Sequence, residues 1–394
     1  MSPRPHRTGT FRLRVAALAL PLLFASACER PPADGPAEGA FLVLLGTDTV
    51  AAERYALSPE GMEVLAVTRS PRALHREAVL EFDADGGVSR YETRTLDPAA
   101  PGDPPLQQSV VTYGTDSVTV VAEPDGEPRR VAGTPRMVPL SFNHFALAEL
   151  AIRRAVDDDA EELQLWFNGP VDMTLRRPAP DSAALDTGIL GTWTARVDEG
   201  GRIQEMEAGD LGRRVIRVPG LDVDALARRW AEQDARGEGM GPLSPRDTLT
   251  ATVAGATLTV DYSRPSARGR QVFGGLVPWG QVWRTGADRA THLSTDRELQ
   301  IAGHTVPPGT YTVFTIPDRE AWTLILNRQT DQAGTEYDPD RDLLRVDLEV
   351  QVQDPPMERF TISVEPEGDG GVLRLRWAEV DAHLPFRVPE TSGG

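Results

Sequence analysis

Between residues 41 and 218 the chain breaks into short runs that alternate apolar and polar side chains, with Asp-Gly turn signals at Asp85-Gly86 and Asp125-Gly126. Side chains on a strand point to alternate faces, so period two over a handful of residues predicts half-buried β-strands. The runs at 41–45, 49–57, 63–68, 78–83, 89–95, 109–113 and 117–122 follow one another closely, and 163–167, 171–176, 192–198 and 213–218 continue the series. Strands that succeed each other through tight turns pair as neighbours. The expectation is one antiparallel sheet over 41–220, curled into a half-barrel or a closed barrel.

Two stretches break the pattern. In 141–156, Phe145, Ala148, Ile152 and Val156 fall on one helical face behind a candidate Ser141 cap. In 222–235, Val223, Leu226, Ala227 and Trp230 form one stripe opposite arginines and acids. A Gly/Pro-rich run follows, so 221–246 reads as a helix and linker and marks a domain boundary. Strand signals resume at 247–253, 256–263, 291–295, 311–316, 322–327, 344–350, 359–365, 372–379 and 383–388, which predicts an antiparallel β-sandwich over 247–390. The fold class expected is mainly β: a curved sheet with a helix, a helical spacer, and a sandwich. The first of these is loosely similar to the half-barrels of envelope lipoprotein carriers, a likeness that implies carriage of a lipid or other apolar ligand.

The N-terminus reads as an export signal over 1–27. Arg4, Arg7, Arg12 and Arg14 precede an apolar run at 15–24 and the small residues Ala25-Ser26-Ala27. Cys28, the one cysteine of the chain, comes next. A lone cysteine excludes an intrachain disulfide and a thiolate zinc cluster, and its place after a small residue resembles a bacterial lipoprotein processing site. The expectation is acylation at Cys28, of the palmitate kind, and a Pro/Gly-rich tether over 28–40. The membrane, through that lipid anchor, is then the first partner, and the cell envelope is the location; without acylation the chain is secreted.

Charge excludes other classes. The chain holds 41 Lys+Arg against 59 Asp+Glu, a net −18, which argues against nucleic acid as a partner. All 41 are arginine. With no ε-amine, Schiff-base chemistry, pyridoxal phosphate attachment and lysine-dependent phosphate loops are excluded, because a guanidinium stays protonated and cannot act as nucleophile or base.

The densest run is 261–291, which gathers arginine, tryptophan and glycine. Arg264-Pro265-Ser266, Arg268-Gly269-Arg270, 274–278 (GGLVP) and 282–287 (VWRTGA) closely resemble the bacterial domain of unknown function 2911, and the likeness continues through Pro308-Gly309-Thr310-Tyr311, Tyr337-Asp338 and Leu384-Pro385-Phe386. That family usually has Asn at Asp288, Lys at Arg268 and a Trp-Gly pair at Ala333-Gly334. The resemblance implies no reaction. From the residues themselves, Arg264, Arg270 and Arg284 offer planar forks for an anion, and Trp279 and Trp283 offer stacking faces. Thr285 and Asp288 complete the candidate ligand-binding set.

Other chemistries find weaker support. His292, His304 and His383 are scattered and no H-E-x-x-H pair occurs, so no metal and no cofactor is expected. Asp338, Asp340 and Asp342 alternate as in a calcium loop, but Leu343 stands where such a loop needs glycine, and the segment reads as a solvated turn. There is no G-x-S-x-G elbow. The expectation is an envelope lipoprotein that binds a small anionic or sugar-like molecule, or an envelope protein, without catalysis. The alternative is a hydrolase, glycan-directed, whose carboxylates converge on the Arg/Trp block.

Overall fold

A computed structural model describes residues 37–390, apart from 124–125, 187–190, 210–211, 320 and 331. The signal at 1–27, Cys28 and most of the tether lie outside the described residues. Residues 37–40, expected to end the tether, instead open the first strand.

The chain is mainly β: two large, predominantly antiparallel sheets, neither closed into a barrel, with two α-helices among the described residues. In the first sheet, strand Ala37–Leu45 lies in the middle. On one side of it successive strands add in chain order, from Asp48–Leu57 out to Arg129–Ala132 at the edge. On its other side Arg213–Arg217 pairs antiparallel, and the order runs back to Val138–Pro139, which makes one parallel pair at the far edge. The first and last strands of the series therefore meet at the centre, in register Phe41 to Arg217.

The period-two residues decide which face is buried. Phe41, Val43 and Leu45 point into the larger core with Met62, Val64 and Trp193. Helix α1 (Phe145–Asp157) lies in that core, and nine of its residues, from Phe145 to Ala155, are buried. A single stripe was expected; burial nearly all round its first turns marks a helix enclosed by other elements rather than laid on a surface. Its start also differs. The helix begins at Phe145, not at Ser141, and His144 makes no side-chain cap bond. The carboxylate of Glu53, on strand Asp48–Leu57, accepts the backbone N–H groups of Phe145 (3.0 Å) and Ala146 (2.7 Å), so a distant residue does the work of a local cap.

Helix α2 (Val223–Ala235) packs on the opposite face of the same strands, where Val223, Ala227 and Trp230 meet Ala52 and Val67. Its cap is local: the Asp222 side chain accepts the Ala225 N–H at 2.8 Å.

The second sheet has nine strands and its own apolar core. Its last two strands, Asp342–Glu367 and Gly370–Arg387, are far longer than the short runs expected there, and the pairing shifts register between Val352 and Thr361. Beyond that shift the sheet turns back across its own core. The Tyr262 hydroxyl accepts the Ile362 N–H at 3.1 Å, and its ring meets Phe360 edge-on.

The Gly/Pro run between the sheets is held on both sides. Ser70 Oγ donates to the Gly241 carbonyl (2.9 Å), Met240 and Leu243 pack on the first core, and Arg264 N–H donates to the Pro245 carbonyl (2.9 Å). A second joint forms at the tight turn Leu45–Asp48. Thr47 N–H donates to the Arg268 carbonyl at 2.9 Å, and the Arg268 guanidinium pairs with Asp48. The added Cβ of any other residue at Gly269 (φ +71°) would stand 2.9 Å from Thr47 Cγ2, so the joint depends on glycine there.

Candidate functional site

The site is built where the chain leaves strand Ala256–Ser263 and wanders until strand Thr291–Thr295. Turns within the run close on themselves: Arg270 N–H on the Ala267 carbonyl (3.0 Å), Val277 N–H on Val272 (2.9 Å), Gly274 N–H on Val277 (2.8 Å). Trp283 is then pinned to strand Gly309–Ile316 by two backbone bonds with Thr315, of 2.7 and 2.9 Å. Its indole N–H donates to the Gly286 carbonyl (3.0 Å), and its ring stacks on Trp377 at 5.8 Å. Thr285 is fully buried, with its hydroxyl on Thr315 Oγ1 (3.2 Å) and its carbonyl accepting from Thr291 Oγ1 (2.7 Å). Arg284 therefore sits between two immobilised residues, which fixes the root of its side chain.

That side chain lines a cleft of about 830 Å³ between the two sheets, well within the size range of small-molecule sites. One wall is the Arg/Trp run with Tyr337 and Trp377; the other includes Leu45, Ser70, Arg213 and the 242–244 segment. Gly334 closes against the Arg284 stem: an added Cβ would lie 2.8 Å from Arg284 Cδ and 2.5 Å from the Asp288 carbonyl oxygen.

Arg284 makes no hydrogen bond or ion pair with any described residue, and its Nε is buried without a partner. Burial holds its pKa below the usual guanidinium value, and the Asp288 charge offsets part of that. Asp288, exposed and in the left-handed region (φ 56°), is the single described carboxylate lining the cleft. Tyr337 donates its hydroxyl to Asp342 (2.7 Å) and is pushed up to about 12, first by burial and then by that carboxylate.

The expected site residues divide. Arg270, Trp283, Arg284 and Asp288 line the cleft together. Arg264 does not. Its fork is taken by Asp247 (3.0 Å), the Thr361 hydroxyl (2.9 Å) and the Phe360 carbonyl (3.2 Å). Trp279 is also outside the lining; it packs on Phe273 and under Arg319. Thr285 is buried behind the wall as a brace. The turn at Asp338–Asp342, expected to be solvated, is partly internal: Asp342 accepts from Asn327, Tyr337 and Arg345, and its side chain is only 12% exposed. Among the described residues no cluster of three or more His, Cys, Asp or Glu is placed to hold a metal. No described helix is long and apolar enough to cross a membrane.

Sequence reasoning missed Arg213, Ser70, Leu45 and Trp377, which complete the cleft. Trp377 lay in a recognisable strand, but nothing in the sequence ties 45, 70 or 213 to the Arg/Trp run.

Comparison with protein families matches residues 244–386 to the family described as "Protein of unknown function (DUF2911)", a span that takes in the whole Arg/Trp run and Tyr337. No curated protein matches the chain.

Proposed function

We propose that this chain is a non-catalytic binding protein of the cell envelope, anchored through Cys28, whose inter-sheet cleft receives a small anionic or sugar-like molecule on Arg284. A matching family that names no reaction leaves the site itself to carry the reading. The observation that carries it is the Arg284 guanidinium: braced at its root, part-buried, lining a cleft, and bonded to no described carboxylate. A part-buried cation that bonds to no acid raises the free energy of the empty site, and a bidentate anion offsets that cost. Trp283, part-buried, lines the same cleft and offers an aromatic surface beside Arg284, with buried Trp377 stacked behind it. Hydrolysis through paired acids would call for two facing carboxylates. Among the described carboxylates Asp288 alone lines this cleft.

The test is a thermal-shift screen of the full-length chain against small carboxylates, phosphates, sulfates and acidic sugars. A ligand at about one hundred times its Kd stabilises the folded state by about 2.7 kcal/mol. Arg284→Gln should abolish the response. A screen in which wild type responds to no anion, or in which Arg284→Gln responds equally, rejects the reading.

A further inference from the structure

Arg284 is not the only cation of the cleft without an ion pair to a described acid. Arg213, on strand Arg213–Arg217 of the first sheet, donates Nη1 to the Phe142 carbonyl (2.5 Å) and pairs with no described carboxylate. Arg270, from the second sheet's loop, donates Nε and Nη2 to the carbonyls of Ala267 (3.0 Å) and Ser266 (2.8 Å) and likewise has no ion pair with a described acid. These two come to the same junction: an added Cβ on Gly212, next to Arg213, would stand 3.3 Å from Arg270 Nη1. Arg268 beside them is spoken for by Asp48. Leu276 and Val282 also line the space, so the cleft is not polar throughout.

Acids outnumber bases in this chain, yet three arginines from two different sheets face one cleft without an ion pair to any described acid. We infer that the ligand carries an anionic group at each of two ends, one held by Arg284 and the other at the Arg213/Arg270 junction, with an uncharged body between them. Such a molecule, a dicarboxylate or its phosphate counterpart, bridges both sheets. This inference rests on the anion reading of Arg284. It adds that the first sheet is part of the site. Burial lowers the pKa of all three guanidinium groups, offset in part by Asp288 at Arg284 and by Glu358 and Asp48 at Arg270.

The experiment is isothermal titration of the full-length chain with adipate and with hexanoate, which share a six-carbon body and differ in one carboxylate. Wild type should bind adipate about tenfold or more tighter, since a second charge-assisted contact contributes about 1.5–3 kcal/mol. Added salt should weaken adipate more steeply than hexanoate, a measure that needs no variant. Arg213→Gln should narrow the adipate preference and bring its salt dependence toward that of hexanoate, and Arg284→Gln should weaken both probes. Equal wild-type affinity for the two probes, with equal salt dependence, overturns the inference and leaves the anion reading standing. Binding of neither probe by wild type counts against the anion reading itself.

Discussion

Two half-buried arginines on the two sides of this molecule are treated in opposite ways. Arg217, in the first sheet, donates to Glu149, lies over the Phe41 ring at 4.7 Å and contacts the Tyr55 hydroxyl. Glu149, 1% exposed, also accepts from Tyr55 and from the Ile203 N–H at 2.7 Å. Every charge there has its counter-charge inside the protein. Arg284, in the cleft, bonds to no described acid and feels only the exposed carboxylate of Asp288. Arg268 stands between the cases, since it lines the cleft but is neutralised by Asp48 across the joint. The lesson is that an arginine's role follows from where its counter-charge comes from. Supplied by the chain, the pair is architecture; left out, the fork is available to a ligand.

The largest expected effect breaks the architectural side. Glu149→Leu removes the shared acceptor of Tyr55, Arg217 and Ile203 and strands the half-buried guanidinium. Breaking a buried pair from one side costs about 3–5 kcal/mol. Urea denaturation of wild type and variant measures it, and a loss below about 1 kcal/mol would place Arg217 with the cleft arginines instead.

The next effect reads the same region through pH. Burial pushes Glu53 up to about 8, against the pull of its two backbone bonds at the start of α1 and with Glu149 adding to the rise. The folded chain therefore holds this proton where the unfolded chain has released it. The stability it contributes is fully present below about pH 4.5 and is lost as pH rises through about 8. His144 beside it is pushed down to about 4 by burial, so it works in the opposite sense between 4 and 6.5. His75 and His292 are lowered by burial too, so the histidines act in that opposite sense up to and just past 6.5, and Glu53 dominates the window toward 8. There, wild type should lose stability with rising pH by at most about 1.4 kcal/mol per unit, one proton's worth. Glu53→Gln should flatten that slope in urea titrations across the window, and a variant with the wild-type slope would assign the proton elsewhere.

These contrasts explain what the sequence made legible. Helix α2 was readable because its cap, Asp222, and its stripe, Val223, Ala227 and Trp230, are all local. The start of α1 was not, because the group that holds its first N–H donors sits 92 residues away on Glu53. Period two identified short strands such as Thr192–Val197, where burial alternates at every residue. It divided the long strand Asp342–Glu367 into separate pieces, because the register shift around 352–361 interrupts the alternation while the backbone continues. For the site, composition singled out the right run, yet it had no means of separating Arg264 from Arg284. The difference is the position of Asp247 and Thr361, which the fold alone brings to Arg264. The wall contributed by Leu45, Ser70 and Arg213 was invisible for the same reason.

The smallest effect on stability is the sharpest for the comparison, because its sign differs. Arg284→Met replaces a part-buried fork that bonds to no described residue with an unbranched apolar chain that can cover the same stem contacts with Gly334 and Trp283. No acid is stranded by the change, since Asp288 is exposed and keeps its water. Replacing a part-buried charge that forms no ion pair by a well-packed apolar group is neutral or stabilising, so the unfolding free energy should stay level or rise by up to about 1 kcal/mol. Glu149→Leu, a change of the same kind, should fall by several times that amount. Chemical denaturation of both variants in one buffer decides the matter. A loss of about 2 kcal/mol or more in Arg284→Met would mean that the chain does supply this guanidinium with a counter-charge, and the distinction between the two arginines would collapse.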